Sequence, residues 1–136
     1  MPIIYDSKNK TFKLDTATSS YIIEIYDENY ILNLYYGAKI PDTYVPDREC
    51  VSPNASFSLA NPVIGEHGFS PDSAPMEYGT NGAGDFRISA LAVRNSNGDS
   101  VTDIRYTGHK IYKGKPEIPG QPSTYANSED EAETLE

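Results

Sequence analysis

The sequence of 136 residues predicts an all-β fold, an antiparallel β-sandwich with a long Pro/Gly-rich excursion. In the first third of the chain, short runs rich in Ile, Tyr, Phe and Leu alternate with polar loops, as β-strands do. Later, Asn97-Gly98 separates two extended runs in the manner of a tight hairpin. Between these regions, residues 38–85 contain six prolines and five glycines, which largely exclude regular structure.

Four strands are predicted in the first third of the chain. Asp27-Glu28-Asn29 supplies a short polar hairpin loop between the last two of them. Glu24 alternates with Ile23 and Ile25, so it should project from the opposite face of its strand. The predicted strands are Ile3–Tyr5, Thr11–Leu14, Tyr21–Tyr26 and Tyr30–Tyr36.

The excursion, residues 38–85, is too long for an ordinary connection within a compact domain. A stretch of this kind is either disordered or an ordered functional loop. Tyr44, Phe57, Phe69 and Tyr78 favour the ordered loop, because aromatic side chains of this size pack against other groups.

After the excursion, the sequence predicts a hairpin with arms 88–95 and 100–106 around a type I′ turn at Asn97-Gly98. Residues 108–115 continue as an extended segment, and three prolines then interrupt the sheet. The acidic tail 129–136 has two interpretations: a frayed terminus, or the beginning of a strand whose partners lie in sequence not present here. Composition does not decide between them.

The charge balance narrows the class of partners. Eleven basic against twenty acidic residues give a net charge of −9 at pH 7, which disfavours nucleic acid and anionic membranes. The single cysteine, Cys50, cannot form an internal disulfide. The first 15 residues lack the apolar core of a signal peptide, and the longest apolar run, 30–36, is too short to span a membrane. These features predict a cytoplasmic protein.

The residues alone predict neither a reaction nor a cofactor. His67 and His109 lack metal-ligand spacing to each other or to Cys50, so no metal site is expected. There is no G-x-S-x-G nucleophile motif. The glycines of 79–84 are not followed by the Lys-Ser/Thr of a phosphate-binding loop, which favours tight turns instead.

Two charged features remain open. Asp85 and Arg87 are two residues apart on an extended segment and should share a face, where they could form a surface ion pair or hold a polar ligand. A cluster of basic residues follows, here called the basic island. It is more readily interpreted as a solvated strand face than as a surface that docks an acidic partner or the chain's own acidic tail. Its members are Arg105, His109, Lys110, Lys113 and Lys115.

Three segments together resemble a known family. They are Gly68-Phe69-Ser70-Pro71-Asp72-Ser73-Ala74-Pro75-Met76-Glu77-Tyr78, then Gly84-Asp85-Phe86-Arg87, then Val101 to Tyr106 running through His109 to Pro116. The chain, over nearly its whole length, resembles the N-terminal domain of bacterial α-galactosidases of glycoside hydrolase family 36.

The resemblance implies an architecture with an N-terminal β-sandwich, a central (β/α)8 barrel and a C-terminal β domain. Residues 1–136 would be the first portion of that sandwich, without the barrel. It also implies a retaining mechanism with two barrel aspartates, one the nucleophile and one the general acid and base, so no catalytic residue is expected in this chain. The substrates would be terminal α-galactosides such as melibiose and raffinose.

The resemblance further implies a homo-oligomer in which the sandwich of one subunit reaches the active-site mouth of its neighbour. By position the excursion is the loop involved. Asp47 and Arg48 match an Asp-Arg pair of the family, with Asp47 as a sugar hydroxyl acceptor, and His67 stands where some relatives have arginine. Galactoside would then bind only at a composite site. An autonomous carbohydrate-binding or protein-interaction module is the alternative.

Overall fold

The computed structural model describes residues 2–26, 29–43, 46, 71, 74–122, 126, 128 and 131–136. Over these residues the chain forms six strands in two antiparallel sheets, which confirms the all-β prediction. No helix in this part of the chain has the length and apolar character that crossing a membrane would require.

The larger sheet contains four strands that pair in the order of the sequence, β1-β2-β3-β4. They confirm the four predicted strands, each of which the structure lengthens by at most two residues at one end. The bounds are β1 Ile3–Asp6, β2 Thr11–Asp15, β3 Ser19–Tyr26 and β4 Tyr30–Ala38.

The turn between β1 and β2 is held by the carboxylate of Asp6. It accepts hydrogen bonds from the backbone N–H of Lys8 at 2.9 Å and from the Asn9 side chain at 2.7 Å. Lys10 closes the turn with a positive φ of 54°. An Asp at the start of such a turn mimics a backbone hydrogen-bonding group, which explains why β1 ends here.

The register gives the four-stranded sheet two different faces. On the first face Lys13 lies opposite Ile22, and Ile22 lies opposite Tyr35. On the second face one row crosses all four strands, formed by Ile3, Leu14, Tyr21 and Tyr36. Because cross-strand partners share a face, Glu24, paired with Thr11, projects opposite to Ile23, paired with Phe12, as the alternation predicts. A bulge shifts the register between Ile22 and Ile23.

The C-terminal end of the excursion extends this sheet beyond β4. The Asn33 N–H donates to the Pro75 carbonyl at 2.7 Å, and the Glu77 N–H donates to the Ile31 carbonyl at 2.9 Å. A bridge between Leu32 and Met76 lies between these bonds. The two segments share a buried cluster formed by Tyr26, Tyr30, Leu32 and Ala74, with Met76 packed against it.

The predicted hairpin at Asn97-Gly98 is confirmed as a turn but wrong in its turn type and its arms. The Asn95 carbonyl accepts from the Gly98 N–H at 2.9 Å, and the Asn95 N–H donates to the Asp99 carbonyl at 2.8 Å. Gly98 has a φ of 91°, whereas Asn97 is not among the described residues with positive φ. A three-residue loop whose third residue is a left-handed glycine fits this pattern, because type I′ requires positive φ at both central residues.

The arms of this turn do not form a ladder with each other. Residues 86–110 contain no strand, and their backbone groups bond elsewhere. The N–H of Ala90 donates to the Gly79 carbonyl, that of Thr102 to the Asn81 carbonyl, and that of Tyr106 to the Asn29 carbonyl. Both arms therefore bond to residues 79–81 rather than to each other, and the second arm also bonds to Asn29.

The smaller sheet pairs β5, Ile111–Lys113, with β6, Glu133–Leu135. The frayed-end interpretation of the tail is therefore wrong for residues 133–135. The tail is a strand, as the second interpretation expected, but that interpretation was wrong about the partner, because β5 lies within this chain. The Glu133 carboxylate also accepts a hydrogen bond from the Ile3 N–H at 2.6 Å, which joins β6 to the edge of the larger sheet.

Candidate functional site

The three predicted rim residues, Asp47, Arg48 and His67, lie outside the described residues, as do Tyr44, Phe57 and Phe69. The structure does describe both ends of the excursion that carries them. Residues 39–43 follow β4, and Pro71 and residues 74–85 lead out of the excursion. Each end is held by a group of charged side chains.

The first clamp, formed by Lys13, Asp15 and Asp42, holds the N-terminal end of the excursion. Lys13 lies on β2 and is buried, and its ammonium group donates to the Asp15 carboxylate at 2.8 Å and to the Asp42 carboxylate at 2.5 Å. Ser20 donates to the other Asp15 oxygen at 2.6 Å and accepts from the Ile40 N–H at 3.1 Å. The strand β2 is thus tied to the excursion through side chains.

Electrostatics favour the charged forms of this clamp. Burial lowers the pKa of the Lys13 ammonium and raises that of the Asp15 carboxyl, because low-dielectric surroundings penalise charge. Hydrogen bonds outweigh burial at both groups. Lys13 donates to Asp15 and Asp42, and Asp15 accepts from Lys13 and Ser20. The pKa of Lys13 is therefore raised and that of Asp15 lowered.

The second clamp, formed by Asp85 and Arg87, holds the C-terminal end of the excursion. The Asp85 carboxylate is 2% exposed and accepts from Arg87 Nε at 3.0 Å and Nη2 at 3.1 Å. The guanidinium also donates to the carbonyls of Ala74 at 2.8 Å and Pro71 at 2.6 Å. The shared face of Asp85 and Arg87 is confirmed, and their role is a structural pair with a buried carboxylate.

Burial raises the pKa of Asp85, but the Arg87 hydrogen bonds and charge outweigh it and the pKa is lowered. The nearby Gly82 and Gly84 have φ values of 83° and 93°, and the Asp85 N–H donates to the Gly82 carbonyl at 3.0 Å. These glycines make the tight turn that the sequence favoured over a phosphate cradle.

The second face of the sheet carries an open cleft of about 460 Å³. Its lining includes the row Ile3, Leu14, Tyr21 and Tyr36 and also Glu133 of β6. The Tyr21 and Tyr36 rings meet edge to face with centroids 5.9 Å apart. Burial and a hydrogen bond to Glu77 raise the pKa of Tyr21 to about 12.

Next to the cleft, His109 packs into an aromatic group. Its ring centroid is 4.6 Å from that of Tyr5 and 4.7 Å from that of Phe12, and Tyr5 and Phe12 stack on each other. His109 Nδ1 is 2.6 Å from the Tyr106 hydroxyl. The histidine therefore connects residues 105–110 to the larger sheet.

One member of the basic island, Lys110, contacts the chain's own acidic tail. Lys110 Nζ lies 3.7 Å from Glu136 Oε1, in an exposed pair. The Lys110 and Glu136 backbones exchange hydrogen bonds at 2.8 and 2.9 Å. Arg105 lies instead over the Tyr30 ring, 3.7 Å from its centroid, and pairs with Asp103.

The shifted pKa values of the described aspartates differ from that of a glycosidase acid. A general acid in this chemistry is a carboxyl with a raised pKa that faces a second carboxylate across the sugar. Four described aspartates have shifted pKa values and all four are lowered: Asp6, Asp15, Asp85 and Asp99. Among the described residues, no group of three or more His, Cys, Asp or Glu could hold a metal.

The sequence interpretation missed the first clamp. Its signal was present, because Lys13 and Asp15 stand two apart on a strand with opposite charges, as Asp85 and Arg87 do. The contribution of Asp42, which lies 29 residues from Lys13 in sequence, had no local signal.

Three comparisons bear on this architecture. A family model described as "Glycosyl hydrolase family 36 N-terminal domain" matches residues 29–136. Alpha-galactosidase AgaA of Geobacillus stearothermophilus is 38% identical over 136 residues, covering 100% of this chain and 18% of the relative. The crystal structure of the family 36 α-galactosidase AgaB from the same organism superposes with a TM-score of 0.87 at 36% identity, covering 99% of this chain and 18% of that one.

A structure of an AgaA variant in complex with raffinose is also similar. It superposes with a TM-score of 0.78 at 38% identity, over 93% of this chain and 17% of that one. The chain thus spans less than one fifth of the length of these relatives.

Proposed function

The chain belongs to the glycosyl hydrolase family 36 N-terminal domains, and on that premise we propose that it is the non-catalytic N-terminal part of an α-galactosidase. The observation that carries this proposal is the alignment of the whole chain with 18% of an α-galactosidase. The parent protein would hydrolyse terminal α-galactosides such as melibiose and raffinose. The raffinose complex of the similar AgaA variant supports the second of these substrates.

The proposed mechanism of the parent enzyme is retaining, with both catalytic aspartates on a barrel that is not part of this chain. The lowered pKa values of Asp15 and Asp85 argue against a general-acid role for either residue, because a carboxyl that stays ionised is a poor proton donor. Each of these aspartates is also already hydrogen-bonded to a cation.

The scaffold part of the proposal is supported by exposed apolar side chains. Ile88 is 100% exposed and Phe86 is 72% exposed, and Tyr78 and Val101 are also exposed. A monomeric soluble protein rarely leaves several large apolar side chains of one region in water. In the parent enzyme this region would pack against further polypeptide of the β-sandwich.

The excursion is the proposed active-site rim. Asp47 would accept a hydrogen bond from a sugar hydroxyl, and Arg48 and His67 would complete the rim of a neighbouring subunit in a homo-oligomer. The two clamps support this role, because they hold the ends of the segment that carries these residues.

The proposed location of the enzyme is the cytoplasm.

Hydrolysis of a nitrophenyl α-galactoside tests the proposal. We expect turnover by the full-length protein and none by residues 1–136, because the nucleophile and the acid would be missing from the shorter chain. Turnover by the 136-residue chain contradicts the non-catalytic role.

Calorimetric titration with raffinose separates this function from an autonomous module. The isolated chain should bind weakly or not at all, because it would supply only part of a composite site. Tight binding by the isolated chain favours a carbohydrate-binding module.

A further inference from the structure

We infer that Asn97, at the tip of the turn in segment 86–106, is a site of spontaneous deamidation, and that its conversion to aspartate loosens this turn. The sequence contains two Asn-Gly dipeptides, Asn81-Gly82 and Asn97-Gly98. Both are chemically competent, because the glycine after the asparagine has no side chain to hinder attack by its own backbone nitrogen. Their surroundings differ, so one of them should react much faster than the other.

The reaction is a ring closure followed by hydrolysis. The Gly98 nitrogen loses its proton to solvent and attacks the side-chain carbonyl carbon of Asn97, so that a C–N bond forms within the chain. The Nδ2 group takes up a proton and leaves as ammonia, which produces a cyclic imide. Water then opens the imide to aspartate or isoaspartate at position 97. Overall, one amide and one water give one carboxyl group and one ammonia, and water is the only co-reactant.

The turn around Asn97 leaves room for this ring closure. Residues 95–100 are exposed, and apart from its two chain neighbours nothing in the described part of the chain lies within 4 Å of a Cβ built on Gly98. The side-chain oxygen of Asn97 accepts a hydrogen bond from the Asp99 N–H at 3.2 Å. This N–H can stabilise the negative charge that develops on the oxygen during attack. The Gly98 N–H must first leave the Asn95 carbonyl, to which it donates at 2.9 Å.

The other dipeptide, Asn81-Gly82, is held by a distant part of the chain. The Asn81 amide donates to the Ser100 carbonyl at 3.1 Å, and the Asn81 carbonyl accepts from the Thr102 N–H at 2.8 Å. A Cβ on Gly82 would lie 3.0 Å from the Val101 side chain, so the backbone there is closely packed. Ser100 is 19 residues from Asn81, so ring closure at this site requires two segments to separate. The contacts at the tip lie within the turn and can move with it.

Deamidation at the tip would replace a favourable contact by a repulsive one. The Asn97 amide donates to the Asp99 carboxylate at 2.5 Å, and the Asn95 amide donates to its other oxygen at 2.6 Å. These two hydrogen bonds lower the pKa of Asp99, so its carboxylate is ionised at neutral pH. A carboxylate at position 97 cannot donate and would face Asp99 as a like charge. The turn would loosen, and with it the segment that is proposed to pack against the rest of the β-sandwich.

The first test compares the two asparagines within the full-length protein. The native protein is incubated at mildly alkaline pH, and deamidation is followed at each site by peptide mass spectrometry. We expect Asn97 to react at least about tenfold faster than Asn81, because a long-range hydrogen bond and a close packing contact must also break at Asn81. In urea the two rates should converge, since only the local sequence then matters.

Equal native rates, or a faster reaction at Asn81, overturn the inference. A native Asn97 that stays intact while it reacts in urea also overturns it, because the turn would then protect the residue. Asn97→Gln supplies a further check, since the longer side chain closes a ring less readily. Aged wild type should show an additional acidic form on isoelectric focusing, and an equal amount of that form in Asn97→Gln contradicts the assignment.

The second test concerns the effect on the turn and uses Asn97→Asp with Ser96→Asp as its matched control. Both substitutions add one negative charge to the exposed tip, but only Asn97→Asp removes the amide that bonds Asp99. The amides of Asn95 and Gly98 close the turn, and their hydrogen exchange should be about fivefold faster in Asn97→Asp, the effect of losing about one hydrogen bond. Ser96→Asp should leave both rates within about twofold of wild type. Unchanged exchange in Asn97→Asp, or equal acceleration by both substitutions, shows that the lost contact does not open the turn and overturns that part of the inference.

Discussion

The four-stranded sheet of residues 3–38 and the segment 86–106 differ in whether their large apolar side chains are buried. In the sheet, Phe12, Ile22 and Leu32 are buried, and the backbone is paired in continuous ladders. In the segment, Ile88 lies fully in water and Phe86 is largely exposed, and single backbone hydrogen bonds replace a ladder. Both regions have the composition of β-structure.

The difference shows which region has its packing partners within the chain. The sheet meets the end of the excursion on its β4 edge and His109 on its second face. The segment 86–106 has a similar apolar content, but its largest side chains are not buried against other described residues. Under the proposed function, the rest of the β-sandwich would provide that cover.

The largest effect expected from this contrast concerns Leu32 and Ile88. Leu32 is 0% exposed, so Leu32→Ala should lower the free energy of unfolding by about 3–5 kcal/mol in any form of the protein. Ile88→Ala should change the 136-residue chain by no more than about 0.5 kcal/mol. In the full-length protein it should cost about 2 kcal/mol or more, if Ile88 is buried there.

Urea denaturation of both variants in both forms of the protein measures these values. A neutral Ile88→Ala in the full-length protein would show that the segment remains in water there. The contrast would then be a property of the region itself, and the scaffold part of the proposed function would lose its support.

A smaller effect is expected from the two Asp-x-Arg pairs at the two ends of the same segment. Asp85→Asn should lower stability at neutral pH by about 1–3 kcal/mol, because it removes a buried acceptor of Arg87. Asp103→Asn is the matched control, with the same spacing to Arg105 but an exposed carboxylate. The control should cost less than about 1 kcal/mol.

The pH dependence of this effect follows from the lowered pKa of Asp85. A carboxyl whose folded pKa lies below its unfolded value, near 3.9, stabilises the fold above that value and loses the contribution as pH falls through the folded pKa. The gap between wild type and Asp85→Asn should therefore be constant from about pH 5 to pH 7 and shrink below about pH 4. A gap that widens on acidification would contradict this assignment.

The smallest effect is expected at Tyr21, in the cleft of the second face. Its folded pKa of about 12 exceeds the ordinary value of 10, so the neutral hydroxyl stabilises the fold fully below pH 10. That contribution should disappear as the pH rises from 10 to 12. Tyr21→Phe should remove this part of the alkaline destabilisation while keeping the ring contact with Tyr36.

Stability of wild type and Tyr21→Phe measured from pH 9 to pH 12 tests the assignment. Tyr36→Phe is the control, because the Tyr36 side chain is largely exposed on the same face. Parallel curves for wild type and Tyr21→Phe would be the contradicting outcome.

The larger sheet could be predicted closely from local patterns. Strands such as Thr11–Asp15 and Ser19–Tyr26 alternate between faces, and polar turn residues such as Asp6 mark where they end. The predicted pairing of the arms 88–95 and 100–106 was wrong, because Asn97-Gly98 specifies a turn but not the residues to which the arms bond. Ala90 and Thr102 bond to Gly79 and Asn81, which are distant from the turn in sequence.

The candidate site was predictable only in part. The shared face of Asp85 and Arg87 follows from the period of a strand, but the burial of Asp85 and the two carbonyls bound by Arg87 do not. The rim residues Asp47, Arg48 and His67 rest on family resemblance, and their contacts with sugar remain a prediction.

The sequence by itself determined the all-β class, the four strands of the larger sheet and the family, because these depend on local periodicity and on motifs of contiguous residues. Only the tertiary structure decided that Lys13 meets Asp42, that His109 packs on Tyr5 and Phe12, and that the acidic tail pairs with β5. These contacts join residues that are far apart in the chain. Which distant groups satisfy a buried charge or an unpaired strand depends on the packing of the whole domain, and no local pattern encodes it.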